Sequence, residues 1–155
     1  MAEHKARVEW KSDGSDFKSG RYSRAHAWSF DGGVVVPASS SPSVVRPPLS
    51  DPSAVDPEEA FVASLSSCHL LTFLYEAARA GFVVARYEDD AVGTMTKNER
   101  GVPWVSLVEL HPRIEFTGNR LPTDDELEHL HHLAHEGCFI ANSVKTEIRV
   151  HWTRI

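Results

Sequence analysis

Asp56-Pro57-Glu58-Glu59 opens a run of apolar residues that continues to Ala80 and stops at Gly81. Asp56 can cap a helix, Pro57 suits a first turn where its missing N–H is not needed, and Glu59 can reach back to the cap backbone. Gly81 supplies the left-handed residue on which helices commonly end. The apolar residues between, among them Phe61, Leu65, Leu70, Leu71, Phe73, Leu74 and Tyr75, cover most of the circumference. Such a helix is expected to be central and buried on several sides, and the remainder of the chain must be arranged around it.

The flanking segments read as strands. Residues 5–11 alternate loosely and 22–30 alternate better, with Arg24, His26, Trp28 and Phe30 on one side. Asp31-Gly32-Gly33 is a hairpin turn, from which Val34-Val35-Val36 returns. Residues 37–55, rich in Ser and Pro, predict a surface loop over that sheet. Beyond the helix, two long strands are predicted at 83–97 and 103–116, joined by a turn at Asn98 to Val102. Thr123-Asp124-Asp125-Glu126 is a second capping box, opening a helix to roughly Glu136, and Thr146 to Thr153 alternates as a closing strand. The order β-β-β-α-β-β-α-β is an α+β layout, with helices packed on antiparallel sheet.

A chain of 155 residues, 41% hydrophobic and 25% charged, fits one domain spanning 1–155. A net charge of −6 disfavours a phosphate-tracking surface, so nucleic acid is not an expected partner. No apolar stretch is read as reaching the ~18 residues that cross a bilayer, and the charged start at Met1–Lys5 lacks a signal-type core. A cytoplasmic protein without a membrane partner is the expectation.

In a reducing compartment the two cysteines, Cys68 and Cys138, are expected to be free, catalytic or metal-bound rather than a structural staple. Cys68 follows Ser64-Leu65-Ser66-Ser67 inside the long helix. A packing cysteine is the plain reading there. Serines are mediocre inside helices, so a break at Ser66-Ser67 would instead place Cys68 in a first turn, where free N–H groups favour thiolate. Glu58 lies ten residues before Cys68, about 15 Å along a straight helix. A working Glu58–Cys68 pair therefore requires a bend, or a carboxylate supplied across a dimer interface.

A thiol that attacks at neutral pH needs a cation. Arg21 and Arg24 point to opposite sides of an alternating strand; Arg24 shares the side of His26, Trp28 and Phe30 and is the choice, with Arg21 its rival. On the second helix Leu127, Leu130 and Ala134 share a face, with Cys138 at its edge and His131 and His135 beside it. Those two histidines and Cys138 form a three-ligand metal alternative, but no fourth acidic or thiolate ligand is near. No metal or cofactor is expected.

The stretch from Asp56 to Cys68 with its long apolar helix, the segment His135-Glu136-Gly137-Cys138-Phe139-Ile140-Ala141-Asn142-Ser143-Val144-Lys145, and the early Tyr22-Ser23-Arg24-Ala25-His26 resemble the OsmC/Ohr superfamily. The resemblance implies an OsmC-like fold assembled as an intertwined homodimer whose sites draw on both subunits. It also implies a thiol-dependent peroxidase. Cys68 would attack an organic hydroperoxide and Cys138 would resolve the product as a disulfide. Arg24 would stabilise the thiolate, Glu58 would be the partner carboxylate, and a dithiol reductant, lipoyl-type in one version, would restore the enzyme. Apolar walls from Phe61, Leu65 and Phe139 would then favour organic peroxides. Against this stands a non-catalytic binding module for an apolar small molecule on the same fold. No G-x-S-x-G, P-loop or dinucleotide glycine pattern supports acyl-transfer, nucleotide or nicotinamide chemistry.

Overall fold

The computed structural model describes residues 1–155, which divide into two compact units, 1–60 and 61–155. The first unit is an antiparallel sheet of β1 (Ala6–Glu9), β2 (His26–Phe30) and β3 (Val35–Ala38), in that order. The hairpin at Asp31-Gly32-Gly33 is as expected, with Phe30 N–H on the Val34 carbonyl at 3.0 Å. The strand expected from Tyr22 begins only at His26. Residues 21–25 form an irregular lead-in, because the Arg24 N–H is taken by the Leu49 carbonyl at 2.8 Å rather than by a strand neighbour. The Ser/Pro loop is tied down too: Ser39, fully buried, accepts the Asp51 N–H at 3.0 Å on its hydroxyl.

The central helix, α1, runs unbroken over Pro57–Arg79. Its start is the capping box read from sequence: the Asp56 carboxylate accepts the Glu59 N–H at 2.8 Å while Glu59 accepts the Asp56 N–H at 3.1 Å. Gly81, at φ +80°, ends it, with Phe82 N–H returning to the Ala77 carbonyl at 3.0 Å. The serines do not break it. Ser64 returns its hydroxyl to the Phe61 carbonyl at 2.7 Å and Ser66 sends its hydroxyl to Asp89, so neither competes for the helix backbone ahead of it.

Only one stripe of α1 is buried: Leu65, His69, Phe73 and Ala77, each four residues from the last. Burial on several sides is therefore not what this chain provides. Leu71 and Tyr75 are 65% and 61% exposed on another side. One window of α1 does reach the length and mean hydropathy, 1.2, of a bilayer-crossing segment, contrary to the sequence expectation. The buried stripe of that helix packs into the cores of the second unit.

The second unit is built on α1 from residue 61 onward. Each long strand expected from sequence is two strands, β4 (Val83–Asp89) with β5 (Val92–Lys97), and β6 (Pro103–Leu110) with β7 (Pro112–Thr117). The closing segment divides likewise into β8 (Glu147–Val150) and β9 (Thr153–Arg154), after α2 (Asp124–Gly137). The pieces sort into two sheets, β4-β7-β9 and β5-β6-β8, in which β9 and β8 add parallel to antiparallel pairs. The corners are pinned by local bonds. Asp89 accepts the His111 N–H at 2.6 Å, and His151 N–H donates to the Leu110 carbonyl at 2.8 Å.

Two cores result. Phe73, Ala77, Phe82 and Ile114 pack with Leu127, Leu130 and Ala134 of α2, while Leu65, Val108 and Leu110 form the other. The later half of α1 thus serves one sheet and its earlier half the other. Cys68 and His69 fall between.

Candidate active site

Cys68 lies in mid-helix, so no helix N-terminus acts on it; its surroundings come from α2 and the turn that follows. α2 opens on the expected Thr123 capping box and ends at Gly137, with Cys138 as its C-cap. A Cβ on Gly137 would sit 3.0 Å from the Thr72 methyl of α1, so glycine lets the end of α2 approach the turn that carries Cys68. The next residues fold back. Asn142 donates its amide to the carbonyls of Glu136 and Cys138 at 2.8 and 3.0 Å, and the Ser143 hydroxyl takes the Phe139 carbonyl at 2.7 Å.

This turn presents two backbone amides to two sulfurs. Ile140 N–H donates to Cys68 Sγ at 3.5 Å and Ala141 N–H to Cys138 Sγ at 3.4 Å. Both thiols are free; Cys68 is half-buried and Cys138 buried. Burial pushes the Cys138 thiol up to about 11, reinforced by the neighbouring Cys68 thiol and by the charge it would carry. At neutral pH Cys138 is therefore held protonated beside its partner.

Behind this pair lies a feature the sequence did not disclose. His69 and His131, 1% and 3% exposed, share a hydrogen bond from Nε2 to Nδ1 of 3.0 Å, with rings only 4° from parallel. Phe73 stacks on His131 at 4.5 Å, and the pair joins α1 to α2. Such a bond needs one ring to donate and the other to accept, which two neutral imidazoles satisfy. Burial, and then the neighbouring His135 charge, depress His69 to about 4; burial, and then His69, depress His131 to about 3. Because the folded values lie below the ordinary 6.5, these groups contribute stability that is present above pH 6.5 and lost as pH falls toward 4. At pH 5 one such histidine should cost about 2 kcal/mol relative to pH 7.5. Urea midpoints at the two pH values measure this, and an unchanged midpoint would contradict it.

The metal alternative fails on position. His131 is engaged with His69, His135 is exposed, and the Cys138 sulfur accepts the Ala141 N–H. No group of three His, Cys, Asp or Glu side chains is placed to hold an ion. The wall expected from Phe61, Leu65 and Phe139 is also not formed. Leu65 is core, Phe61 packs against that core, and Phe139 is 82% exposed.

Arg24 and Glu58 belong to a separate constellation within residues 1–60, where both line a cleft of about 500 Å³. The Arg24 guanidinium lies 3.8 Å over the Tyr22 ring and sends Nη1 to the Gly20 carbonyl at 2.8 Å and also to the Tyr22 carbonyl. His26 accepts the Trp28 indole N–H at 3.0 Å on Nε2, so its Nδ1–H donates to the Arg24 carbonyl at 2.8 Å. Trp10 and Phe17 complete one side of the cleft. Periodicity could not have found those two, because Trp10 follows a strand end and Phe17 sits in a 3-10 turn capped by Asp16. Arg21, the rival cation, is exposed and absent from the cleft lining. Glu59 is occupied in the helix cap.

Residues 50–153 match the model of the OsmC family, described as OsmC-like protein. No curated protein matches the sequence. Among solved structures, an OsmC-like protein of unknown function from Vibrio cholerae is 52% identical with a TM-score of 0.96, the match covering 99% of this chain and 100% of that one. An OsmC-like protein from Mycoplasma pneumoniae, 14% identical, has a TM-score of 0.74 over 99% and 98% of the two chains. An organic hydroperoxide resistance protein from Elizabethkingia anophelis, 17% identical, has a TM-score of 0.68 over 99% and 96%. At those lower identities the likeness is one of fold.

Proposed function

Because this chain belongs to the OsmC-like family, we propose that it is a thiol-dependent peroxidase that reduces organic hydroperoxides. The observation that carries the reading is the asymmetric thiol pair: Cys138 buried and held protonated, Cys68 half-buried with an amide N–H on its sulfur. Structural relatives named as organic hydroperoxide resistance proteins point to the same substrate class.

The Cys68 thiolate attacks the terminal oxygen of R–O–OH. An S–O bond forms, the O–O bond breaks, and RO⁻ leaves as the alcohol after taking the proton that the thiol gave up. Cys138 then attacks the Cys68 sulfenic acid, forming an S–S bond and releasing water. A dithiol, of the lipoyl type in one version, exchanges with that disulfide and leaves oxidised. Arg24 stabilises the thiolate and the departing oxygen, and Glu58 accepts the hydroperoxide O–H.

On this reading Arg24 and Glu58 join the thiols in a homodimer, with the second copy covering the exposed Leu71 and Tyr75 face of α1. The cytoplasm, which keeps free thiols reduced, is its compartment. Reduced protein mixed with stoichiometric alkyl hydroperoxide should lose two thiols per chain and yield one alcohol per peroxide. Thiols that survive such treatment would instead favour the apolar-ligand module.

A further inference from the structure

We propose that the cleft of residues 1–60 seats the organic part of the substrate and is built for an aryl group, so that the preferred substrates are arylalkyl hydroperoxides. This rests on the peroxidase reading above for its reacting group, and on the cleft alone for its ring.

The cleft volume, about 500 Å³, is within the range of small-molecule sites. One wall is a cluster of three rings. The Trp10 centroid lies 5.8 Å from that of Phe17 and 5.7 Å from that of Tyr22, and Phe17 and Tyr22 stack at 4.5 Å. Each ring is held by something other than the cluster. Trp10 donates its indole N–H to the Ser23 carbonyl at 2.8 Å, Phe17 belongs to the turn capped by Asp16 and closed by Gly20 at φ +77°, and Tyr22 lies beneath the Arg24 guanidinium. Trp10 and Phe17 nonetheless remain 39% and 55% exposed, so the wall keeps aromatic surface for something else to cover.

Arg24 and Glu58 bring the polar groups, and Arg24 sits at the junction, since it rests on Tyr22 of the aromatic wall. A ligand matched to this lining is apolar and flat over most of its length and polar at one end. A hydroperoxide supplies that end, with an O–H for the carboxylate and oxygen lone pairs for the guanidinium. An alkyl group on the wall gains only from the area it removes from water. An aryl group also gains edge-to-face or offset stacking against three rings already fixed in place. Hydrogen peroxide can use none of it.

Cumene and tert-butyl hydroperoxides differ by a phenyl in place of a methyl on the same tertiary carbon, and their kcat/KM ratio reads the wall directly. The ratio should favour the aryl substrate by about tenfold in the parent and fall about fivefold in Phe17→Leu, which keeps bulk and removes a ring, and likewise in Trp10→Leu. A parental ratio near unity, or one that both variants preserve, would overturn the proposal. Equilibrium binding of 2-phenyl-2-propanol, the inert alcohol product, is measured alongside. If no hydroperoxide oxidises the thiols, the peroxidase reading fails. Binding of the alcohol, weakened by Phe17→Leu, would then still support the aryl site, and no binding would refute it.

Discussion

Cys68→Ser should lower peroxide consumption by at least about a thousandfold, since a serine hydroxyl in the same place neither ionises at neutral pH nor attacks an O–O bond as a thiolate does. Cys138→Ser should behave differently. Its first turnover should proceed at close to the parental rate, because Cys68 still attacks, and the protein should then stall as a sulfenic acid trapped by dimedone. The difference follows from geometry. Cys138 is buried and pushed up to about 11, whereas Cys68 is the half-buried member of the pair. Rapid-mixing measurement of the first turnover distinguishes the two sulfurs. Should Cys68→Ser consume peroxide as the parent does, the roles assigned here are wrong.

The largest effect on stability should come from Phe73→Ala. Phe73 is fully buried, joins the later half of α1 to α2 and β7, stacks on His131 at 4.5 Å and meets the Tyr87 ring at a tilt with centroids 5.6 Å apart. Removing the ring leaves a cavity among side chains that belong to two helices and a sheet, so the site cannot close by moving one element. A loss of about 3–5 kcal/mol is expected, visible as a fall in Tm of roughly 10 °C. The substitution should also let water reach the histidine pair and relieve part of the burial that depresses both groups, so that the loss of stability between pH 7.5 and pH 5 is smaller in the variant than in the parent. Parental stability in Phe73→Ala would mean that α1 and α2 are not joined through this core.

Local chemistry was legible in the sequence where it acts over a few residues. Both capping boxes, the Gly81 stop and the Gly32-Gly33 turn depend on partners three to five positions away, and the structure has them. The corners at Asp90–Ala91 and His111 were not legible. Alternation runs through them unchanged, and the bend is held by Asp89, whose partners His111 and Ser66 are 22 and 23 residues distant. The length of α1 was apparent, but not which of its apolar sides this chain would leave open. Alternation of its neighbours puts Arg24 on a strand; the Leu49 carbonyl and Arg24's own bonds to Gly20 and Tyr22 keep it off the ladder. The His69–His131 pair spans 62 residues, and helix geometry alone showed His131 only as lying beside an apolar face. The two cysteine segments were recognisable as a family pattern. What brings their sulfurs together, a glycine at 137 where a Cβ would crowd the Thr72 methyl and a turn that offers two amides, is visible only in three dimensions.

Peptide mapping of the protein after one equivalent of alkyl hydroperoxide, without reductant, tests the central claim most directly. The account predicts one intrachain disulfide joining the Cys68 and Cys138 peptides, lighter than the reduced pair by two hydrogens and absent in either cysteine variant. Both cysteines recovered as free thiols, or each oxidised separately with no bond between them, would contradict it.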